Sequence, residues 1–337
     1  MAELRNSDSK YYKALVVEES PEGKFFSSIR ELPLAGLPQG ELLIKVKYSG
    51  LNYKDALSAS GHKGITRRFP HTPGIDAAGI VVESVVPEFA PGDEVIVTGY
   101  DLGMNTSGGF AEFIRVPARW ALHRPANLSL QECMIVGTSG FTAASAIYEF
   151  MKHGIAPESG KILITGASGA VGSMAVAMLS TAGYRVVASS GKTDAVDFLK
   201  NLGAEEVIDR KDVDDQSGRP LLPGRWVAAL DTVGGNTLST VIRSTADRGI
   251  VANCGMIVSD KLEVSVFPFI LRAVRLVGIG SADTPMHTRL ELWNLIGSRL
   301  KFPEMEKIAQ CISLEEVPEA LSAMLKSAAT GKFVVKI

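Results

Sequence analysis

The segment KILITGASGAVGSMAVAML, residues 161–179, constrains the fold more than any other part of the chain. It reads as a short buried strand, a tight turn and an apolar helix. The turn spaces Gly166, Gly169 and Gly172 as G-x-x-G-x-x-G, a variant of the dinucleotide fingerprint. Positions without a Cβ let the backbone turn sharply, approach a pyrophosphate closely and pack the helix on the strand. Free N–H groups and the positive dipole end of a helix beginning near Ala170 then face the phosphates. The strand before the turn and the helix after it supply the context such a motif requires. Expected contacts to the nucleotide run through Gly166, Ser168, Gly169, Ala170, Val171 and Gly172.

Two textures flank this segment. Residues 12–120 hold short alternating runs at 14–17, 42–48, 79–86, 94–98 and 110–116, broken by Gly and Pro, the pattern of a twisted β-rich domain. From about Gln131 helical stretches alternate with β-rich runs at 162–165, 185–189, 207–209, 227–231, 250–253 and 276–279. Helices are expected at 173–182, 193–202 and 237–245. Such alternation builds a doubly wound parallel sheet, so the fold class is α/β. Two helices, 288–300 and 315–327, and a closing strand, 333–337, follow.

Bulk properties bound the function. A chain of 337 residues suggests about two domains. Its net charge of −2 points to neither nucleic acid nor an anionic membrane. The polar start, MAELRNSDSKYYK, shows no apolar secretion segment, and no apolar run approaches the ~20 residues of a membrane helix. Cys133, Cys254 and Cys311 are too scattered for a disulfide framework, so a reducing cytoplasm is the expected setting.

A family resemblance rests on the GASGAVGS turn together with LNYKDAL (51–57), RRFPHTPGIDAAG (67–79), GTSGFTA (137–143), SSGK (189–192), DTVGG (231–235) and PFILR (268–272). The chain resembles the zinc-independent medium-chain dehydrogenase/reductases over nearly its whole length. These segments look like the acryloyl-CoA reductase branch, whose members are often labelled quinone oxidoreductases. The resemblance implies a GroES-like catalytic domain at 1–131 and 282–337 and a Rossmann domain at 132–281. It also implies a cofactor in the cleft between them and a homodimer joined edge to edge through the Rossmann sheet.

No metal is expected. Zinc-dependent relatives place a cysteine ligand before x-x-D and a histidine in a G-H-E-x-x-G turn. Here Asn52 precedes Asp55, and Ile75 stands in Gly74-Ile75-Asp76. An amide and an isoleucine destroy a set that needs three or four Cys, His or carboxylate ligands. The five histidines show no ligand spacing. Without a Lewis acid the natural chemistry is conjugate reduction. Hydride reaches the β-carbon of an enone or enoyl thioester, charge develops on the carbonyl oxygen and a proton reaches the α-carbon. A quinone is also a conjugated enone.

In the LNYKDA segment Tyr53 is the candidate cofactor or substrate contact and proton relay. Asn52 is a candidate amide donor to a substrate carbonyl, and Asp55 a candidate to orient Tyr53 or Lys54. Alternatively, Asn52 caps the following helix and Asp55 sits in its first turn.

After the second Rossmann strand the chain reads Ala188-Ser189-Ser190-Gly191-Lys192, without the carboxylate that binds a ribose 2′-hydroxyl in NAD-specific folds. Ser190, the Gly191 backbone and the Lys192 cation suit a 2′-phosphate instead, with Arg210 closing the adenine side. The related reductases use a similar triplet, and NADPH is the expected cofactor. Further contacts are expected at strand ends: Thr232 and Val233, then Cys254, Gly255 and Met256, with Ile270 in the 267–270 wall of the nicotinamide pocket. Cys254 reads as a small buried hydrophobe rather than a nucleophile. In the loop 61–69, Lys63, Arg67 and Arg68 are candidates to grip the phosphates of a CoA thioester.

The expected activity is therefore NADPH-dependent reduction of an activated carbon–carbon double bond, acryloyl-CoA to propionyl-CoA first, with NADPH:quinone oxidoreduction as the alternative. A non-catalytic NADPH-binding structural or sensing protein is the reading from another class.

Overall fold

The computed structural model describes residues 10–326 and 329–337. The first strands and helix are β1 (Tyr11–Glu19), β2 (Phe25–Pro33), β3 (Leu42–Gly50), α1 (Tyr53–Ala59), β4 (Asp76–Ser84), β5 (Glu94–Thr98), β6 (Phe113–Val116) and β7 (Ala121–His123). Then come α2 (Leu130–Lys152), β8 (Lys161–Ile164), α3 (Ala170–Thr181), β9 (Arg185–Ser190), α4 (Val196–Asn201), β10 (Glu206–Asp209), β11 (Trp226–Asp231), α5 (Gly235–Arg243) and β12 (Thr245–Asn253). The chain ends with α6 (Phe267–Arg272), β13 (Arg275–Gly278), α7 (Met286–Ile296), β14 (Ala309–Ser313), α8 (Val317–Leu325) and β15 (Lys332–Lys336).

Two compact units result. One runs to Thr138 and takes in Ala282–Leu290 and Met305–Ile337; the other is Ser139–Ser281 with Glu291–Glu304. These bounds differ from the 132–281 expected of the Rossmann part. The first boundary falls just after Gly137, whose φ of 46° and ψ of −156° break α2 into two helical pieces. Glu291–Glu304 joins the second unit because its side chains pack there: Trp293 stacks on Phe141 at 6.2 Å, and Tyr148 Oη donates to Glu291 at 2.9 Å.

The first unit is the β-rich one. Its seven-stranded sheet has the order β14-β15-β3-β4-β5-β7, with β6 also on β3, and β1 and β2 form a separate antiparallel pair. Strand β3 sends alternate side chains to opposite faces, and both faces are covered at its start. Leu42, Ile44 and Val46 enter one core with Val81, Val95 and Trp120, while Leu43 joins Tyr12 and Phe113. A third cluster sets Ala56 of α1 among Val317, Ala320 and Leu321 of α8, so the C-terminal helix backs the segment that carries Tyr53.

The second unit is a six-stranded parallel sheet, β10-β9-β8-β11-β12-β13. It is the doubly wound order, and the chain reverses direction of growth between β8 and β11, where such sheets bind ligands. Strands covered on both faces read as continuous apolar runs. Leu163, Val187, Ala229 and Val251 from four neighbouring strands share one buried cluster.

Several elements depart from expectation. Strands β2, β7 and β14 were not anticipated, and the strand expected at 110–116 is confined to Phe113–Val116. The helix expected at 315–327 is a 3₁₀ turn, Leu314–Glu316, followed by α8. Ser327, like the polar residues 1–9, lies outside the described residues. Among the described residues no helix is long and apolar enough to cross a membrane.

Candidate active site

The glycine turn after β8 separates three demands. Gly166 has φ of +58°, and a Cβ there would stand 2.3 Å from Thr232 Oγ1. At Gly172 a Cβ would come within 2.5 Å of Gly166 O and 2.6 Å of Ala167 Cα. The fold itself requires glycine at both. Gly169 is different: its φ is −79°, and its Cβ would meet only Gly166 O, at 3.4 Å. It is the N-cap of the twelve-residue α3 and supplies no side-chain cap. Space is thus left open before the N–H groups of the first turn, as a phosphate requires.

A buried carboxylate ties the neighbouring strand ends together. Asp231, fully buried at the end of β11, accepts from Thr165 Oγ1 at 2.7 Å, Gly234 N at 2.7 Å and Asn253 Nδ2 at 2.9 Å. Burial pushes its carboxyl above the usual range. Asn253 also donates to Gly255 O at 3.0 Å, and Thr232 Oγ1 donates back to Thr165 O at 3.0 Å. The loops after β8, β11 and β12 are therefore fastened to one carboxylate. Thr232 faces inward, and Val233, Cys254 and Gly255 are half-buried beside it. Burial pushes the Cys254 thiol up to about 12, with Asp231 adding to it, which disfavours the reactive thiolate. Met256 and Ile270 are 71% and 68% exposed, outside this network.

At the next strand ends, Ser190 Oγ donates to Ser168 Oγ and accepts from Lys192 N, both at 3.1 Å. Ser190 thereby joins the glycine turn to the turn after β9. Arg210 follows β10 and is exposed. The residues expected to hold a dinucleotide thus lie mainly at the carboxyl ends of consecutive strands in one sheet.

The first unit holds a second polar centre, around Asn52. Lys332 Nζ donates to Asn52 Oδ1 at 2.9 Å and Leu51 O at 2.7 Å. Asn52 Nδ2 donates to Asp76 Oδ2 at 2.7 Å and Gly50 O at 3.1 Å. Asp76 also accepts from Thr138 N at 2.8 Å and Thr138 Oγ1 at 2.6 Å, and lies 3.9 Å from Lys332 Nζ. Burial lowers the Lys332 ammonium from its ordinary value, with Asp76 and Asp55 opposing. Asp55 accepts from Asn52 N at 2.8 Å, Gly74 N at 3.1 Å and Ile75 N at 2.9 Å. It is fully buried, and desolvation, reinforced by Asp76, pushes its carboxyl up to about 7.

This arrangement corrects two expectations. Both amide protons of Asn52 are committed within the protein, so Asn52 is not an amide donor to substrate. Asp55 orients neither Tyr53 nor Lys54; its oxygens fasten the start of α1 to the Gly74–Ile75 turn. Tyr53, first residue of α1, instead points outward at 49% exposure, and its hydroxyl has no partner among the described residues. Asp76, Lys332 and Thr138 were missed, as were Thr165, Asp231 and Asn253. Asp76 adjoins Ile75 in the motif, which is a legible signal; Lys332 sits in KFVVK, which reads as an ordinary strand with solvated lysines.

Ile75 is buried where zinc-dependent relatives place a histidine, and no group of three or more His, Cys, Asp or Glu among the described residues is arranged to hold a metal ion. In the loop after α1, Lys63 pairs with Glu19 at 2.9 Å and lies over the Phe25 and Phe69 rings, so it is engaged locally. Arg67 and Arg68 are exposed with no carboxylate partner among the described residues, next to Thr66, whose buried hydroxyl meets Ser58 Oγ at 2.7 Å.

Residues 38–126 match the alcohol dehydrogenase GroES-like domain family, and residues 170–296 match the zinc-binding dehydrogenase family. That pairing defines a dehydrogenase/reductase of the medium-chain class. A Bacillus subtilis (strain 168) protein named as a quinone oxidoreductase, YhfP, is 42% identical over 98% of this chain and 100% of its own. The YhfP crystal structure with NAD bound matches with a TM-score of 0.95 over 98% of this chain and 100% of that one. Acrylyl-CoA reductase AcuI of Ruegeria pomeroyi is 37% identical over 97% of this chain and 99% of its own. The yhdH oxidoreductase of Salmonella enterica, crystallised with NADP, gives a TM-score of 0.93 at 41% identity, over 96% of this chain and 99% of that one. The chain belongs to the medium-chain dehydrogenase/reductase family, in the branch that carries the acrylyl-CoA reductase and quinone oxidoreductase names.

Proposed function

We propose that the protein is a zinc-independent, NADPH-dependent reductase of activated carbon–carbon double bonds, with acryloyl-CoA, reduced to propionyl-CoA, as its substrate. The observation that carries this reading is the filling of the metal positions. Asn52 is bound into the Lys332–Asp76 centre and Ile75 is buried, so the chain's own residues take the place that ligands of a Lewis acid would need. Relatives of full length named acrylyl-CoA reductase support the substrate, and the NADP-bound relative supports the cofactor.

The residues at the sheet's carboxyl edge fit a dinucleotide. The open space at Gly169 and the uncapped first turn of α3 receive the pyrophosphate, while Ser168 and the loops tied to Asp231 border it. Lys192 and Arg210 supply positive charge where an NAD-selective fold has a carboxylate. When bound, NADPH supplies the hydride. The protein must hold the substrate's β-carbon in line and stabilise charge on the carbonyl oxygen. Tyr53, with a free hydroxyl on a helix start braced by Asp55 and Lys332, donates the hydrogen bond. Solvent or that same phenol delivers the proton to the α-carbon.

A quinone presents the same conjugated carbonyl, and the YhfP relative favours this second reading. The test is loss of NADPH absorbance with acryloyl-CoA, crotonyl-CoA, a free enone and a quinone, before and after prolonged dialysis against EDTA. Turnover of the thioesters, unchanged by EDTA, is expected. Turnover of quinone alone would replace the substrate, activity that tracks with zinc would overturn the metal-free reading, and NADPH binding without turnover of any acceptor would make the protein a binding or sensing module.

The assembly proposed is a homodimer through β13, the edge strand of the parallel sheet. Its Leu276 is 38% exposed, and Ile270 and Leu271 on the preceding helix are 68% and 59% exposed. An uncovered edge beside apolar side chains calls for pairing. Three free cysteines, one exposed, suit the cytoplasm as the location.

A further inference from the structure

Gly191 is not required by the backbone. It is absent from the glycines with positive φ, and the turn it occupies is exposed. What a side chain there would strike is Arg210: an added Cβ would stand 2.6 Å from Cδ, 2.8 Å from Nε and 3.2 Å from Cζ. The sheet register explains the meeting. Asp209, last residue of β10, pairs with Ser190, last residue of β9, so Arg210 emerges alongside Gly191. The Asp209 carboxylate is turned to the Lys211 N–H at 2.8 Å, and Arg210 has no carboxylate partner among the described residues. Its side chain therefore runs beside the turn that leads into Lys192, and its guanidinium has no hydrogen-bond partner among the described residues.

We propose that Gly191 is a specificity-determining residue: by lacking a side chain it lets Arg210 lie across the turn after β9 and close on the 2′-phosphate of the dinucleotide. The proposal rests on the NADPH reading above. A planar guanidinium in this place offers paired N–H donors to phosphate oxygens. Gly191 thus acts through Arg210 as a positioning residue, and an alanine there moves the far end of a flexible side chain without straining the fold.

The test is a double-mutant cycle read by calorimetric binding of two cofactor fragments, 2′,5′-ADP and 5′-AMP. Loss of a charge-assisted contact weakens binding by about tenfold or more. Gly191→Ala and Arg210→Ala should each produce a loss of that order for 2′,5′-ADP and leave 5′-AMP nearly unchanged. The double variant should bind 2′,5′-ADP no worse than Arg210→Ala alone, because both changes remove one contact. Additive losses, or equal losses for both fragments, would overturn the proposal in favour of a backbone effect or an adenine contact. Wild-type protein that fails to prefer 2′,5′-ADP would remove the NADPH reading itself, and this inference with it.

Discussion

Lys332 and Asn52 stand 280 residues apart, yet the ammonium of one donates to the side-chain oxygen of the other across 2.9 Å. The bond joins the last strand of the chain to the residue just before Tyr53. With Asp76 on the other side of the amide, a lysine, an asparagine and an aspartate form a buried centre at the position where metal-dependent relatives carry a ligand. Lys332 and Asp55 between them fasten the residues that lead into α1.

Removing the cation should therefore be costly. Lys332→Met leaves Asp76 buried without its counter-charge, and loss of one partner of a buried pair typically costs about 3–5 kcal/mol. Urea unfolding should show a loss of that size, and adding Asp76→Asn should recover part of it. A loss below about 1 kcal/mol, the worth of an exposed ion pair, would show that the ammonium does not carry the centre. Lys332→Arg, which keeps the charge, should retain more turnover than Lys332→Met.

Asp55 gives a pH signature. Its folded carboxyl is pushed up to about 7 from an ordinary value of 3.8, mainly by burial. Between those values the folded state holds a proton that the unfolded state has lost. The stabilising contribution of that proton is fully present below the ordinary value and is lost as pH rises through about 7. Asp55→Asn cannot ionise. The melting temperature of the wild type, measured against this variant, should fall steadily over that window. A difference that does not vary with pH would mean that the carboxyl ionises at its ordinary value despite its burial.

The Rossmann half was legible because its signals are local. A glycine turn, the strand before it and the helix after it occupy nineteen consecutive residues, and the parallel strands announce themselves as apolar runs. The strand-end candidates Thr232, Val233, Cys254 and Gly255 followed from that periodicity. The centre around Asn52 was not legible in the same way. Its members come from α1, β4, α2 and β15, and only the fold brings them together. The sequence motif pointed to the right segment but not to the direction of each side chain: Asn52 and Asp55 turn inward and only Tyr53 turns out. Strand β14 was missed because its alanine, glutamine, cysteine and serine carry little strand signal, and pairing with β15 decides its conformation. The same limit explains the domain boundary, which depends on Trp293 reaching Phe141 and not on composition.

Cofactor selection is the next point of test. Lys192 follows the Ser190 hydroxyl that binds its backbone N–H, so its position is set by the turn. Lys192→Ala should raise the KM for NADPH by about tenfold or more, the worth of a charge-assisted contact, and that for NADH much less. Steady-state kinetics with the two cofactors decides it. Equal effects on both would contradict a 2′-phosphate contact, and a wild type that prefers NADH would dismiss NADPH as the working cofactor.

The substrate end rests on Arg67 and Arg68. Lys63, the third cation of that loop, is held by Glu19 and the Phe25 and Phe69 rings. The two arginines remain exposed, and the loop beneath them is pinned by the buried Thr66–Ser58 hydroxyl pair. A pinned loop presenting two planar forks suits the phosphates of a CoA thioester. Arg67→Ala combined with Arg68→Ala should lower kcat/KM for acryloyl-CoA by about tenfold or more if one charge-assisted contact is lost, and further if two are. Reduction of a neutral quinone and the affinity for NADPH should change little. Equal losses on thioester and quinone would point to damage of the fold or cofactor site, which the melting temperature would reveal. No loss on either would leave the arginines as solvated surface charge and remove them from the recognition of CoA.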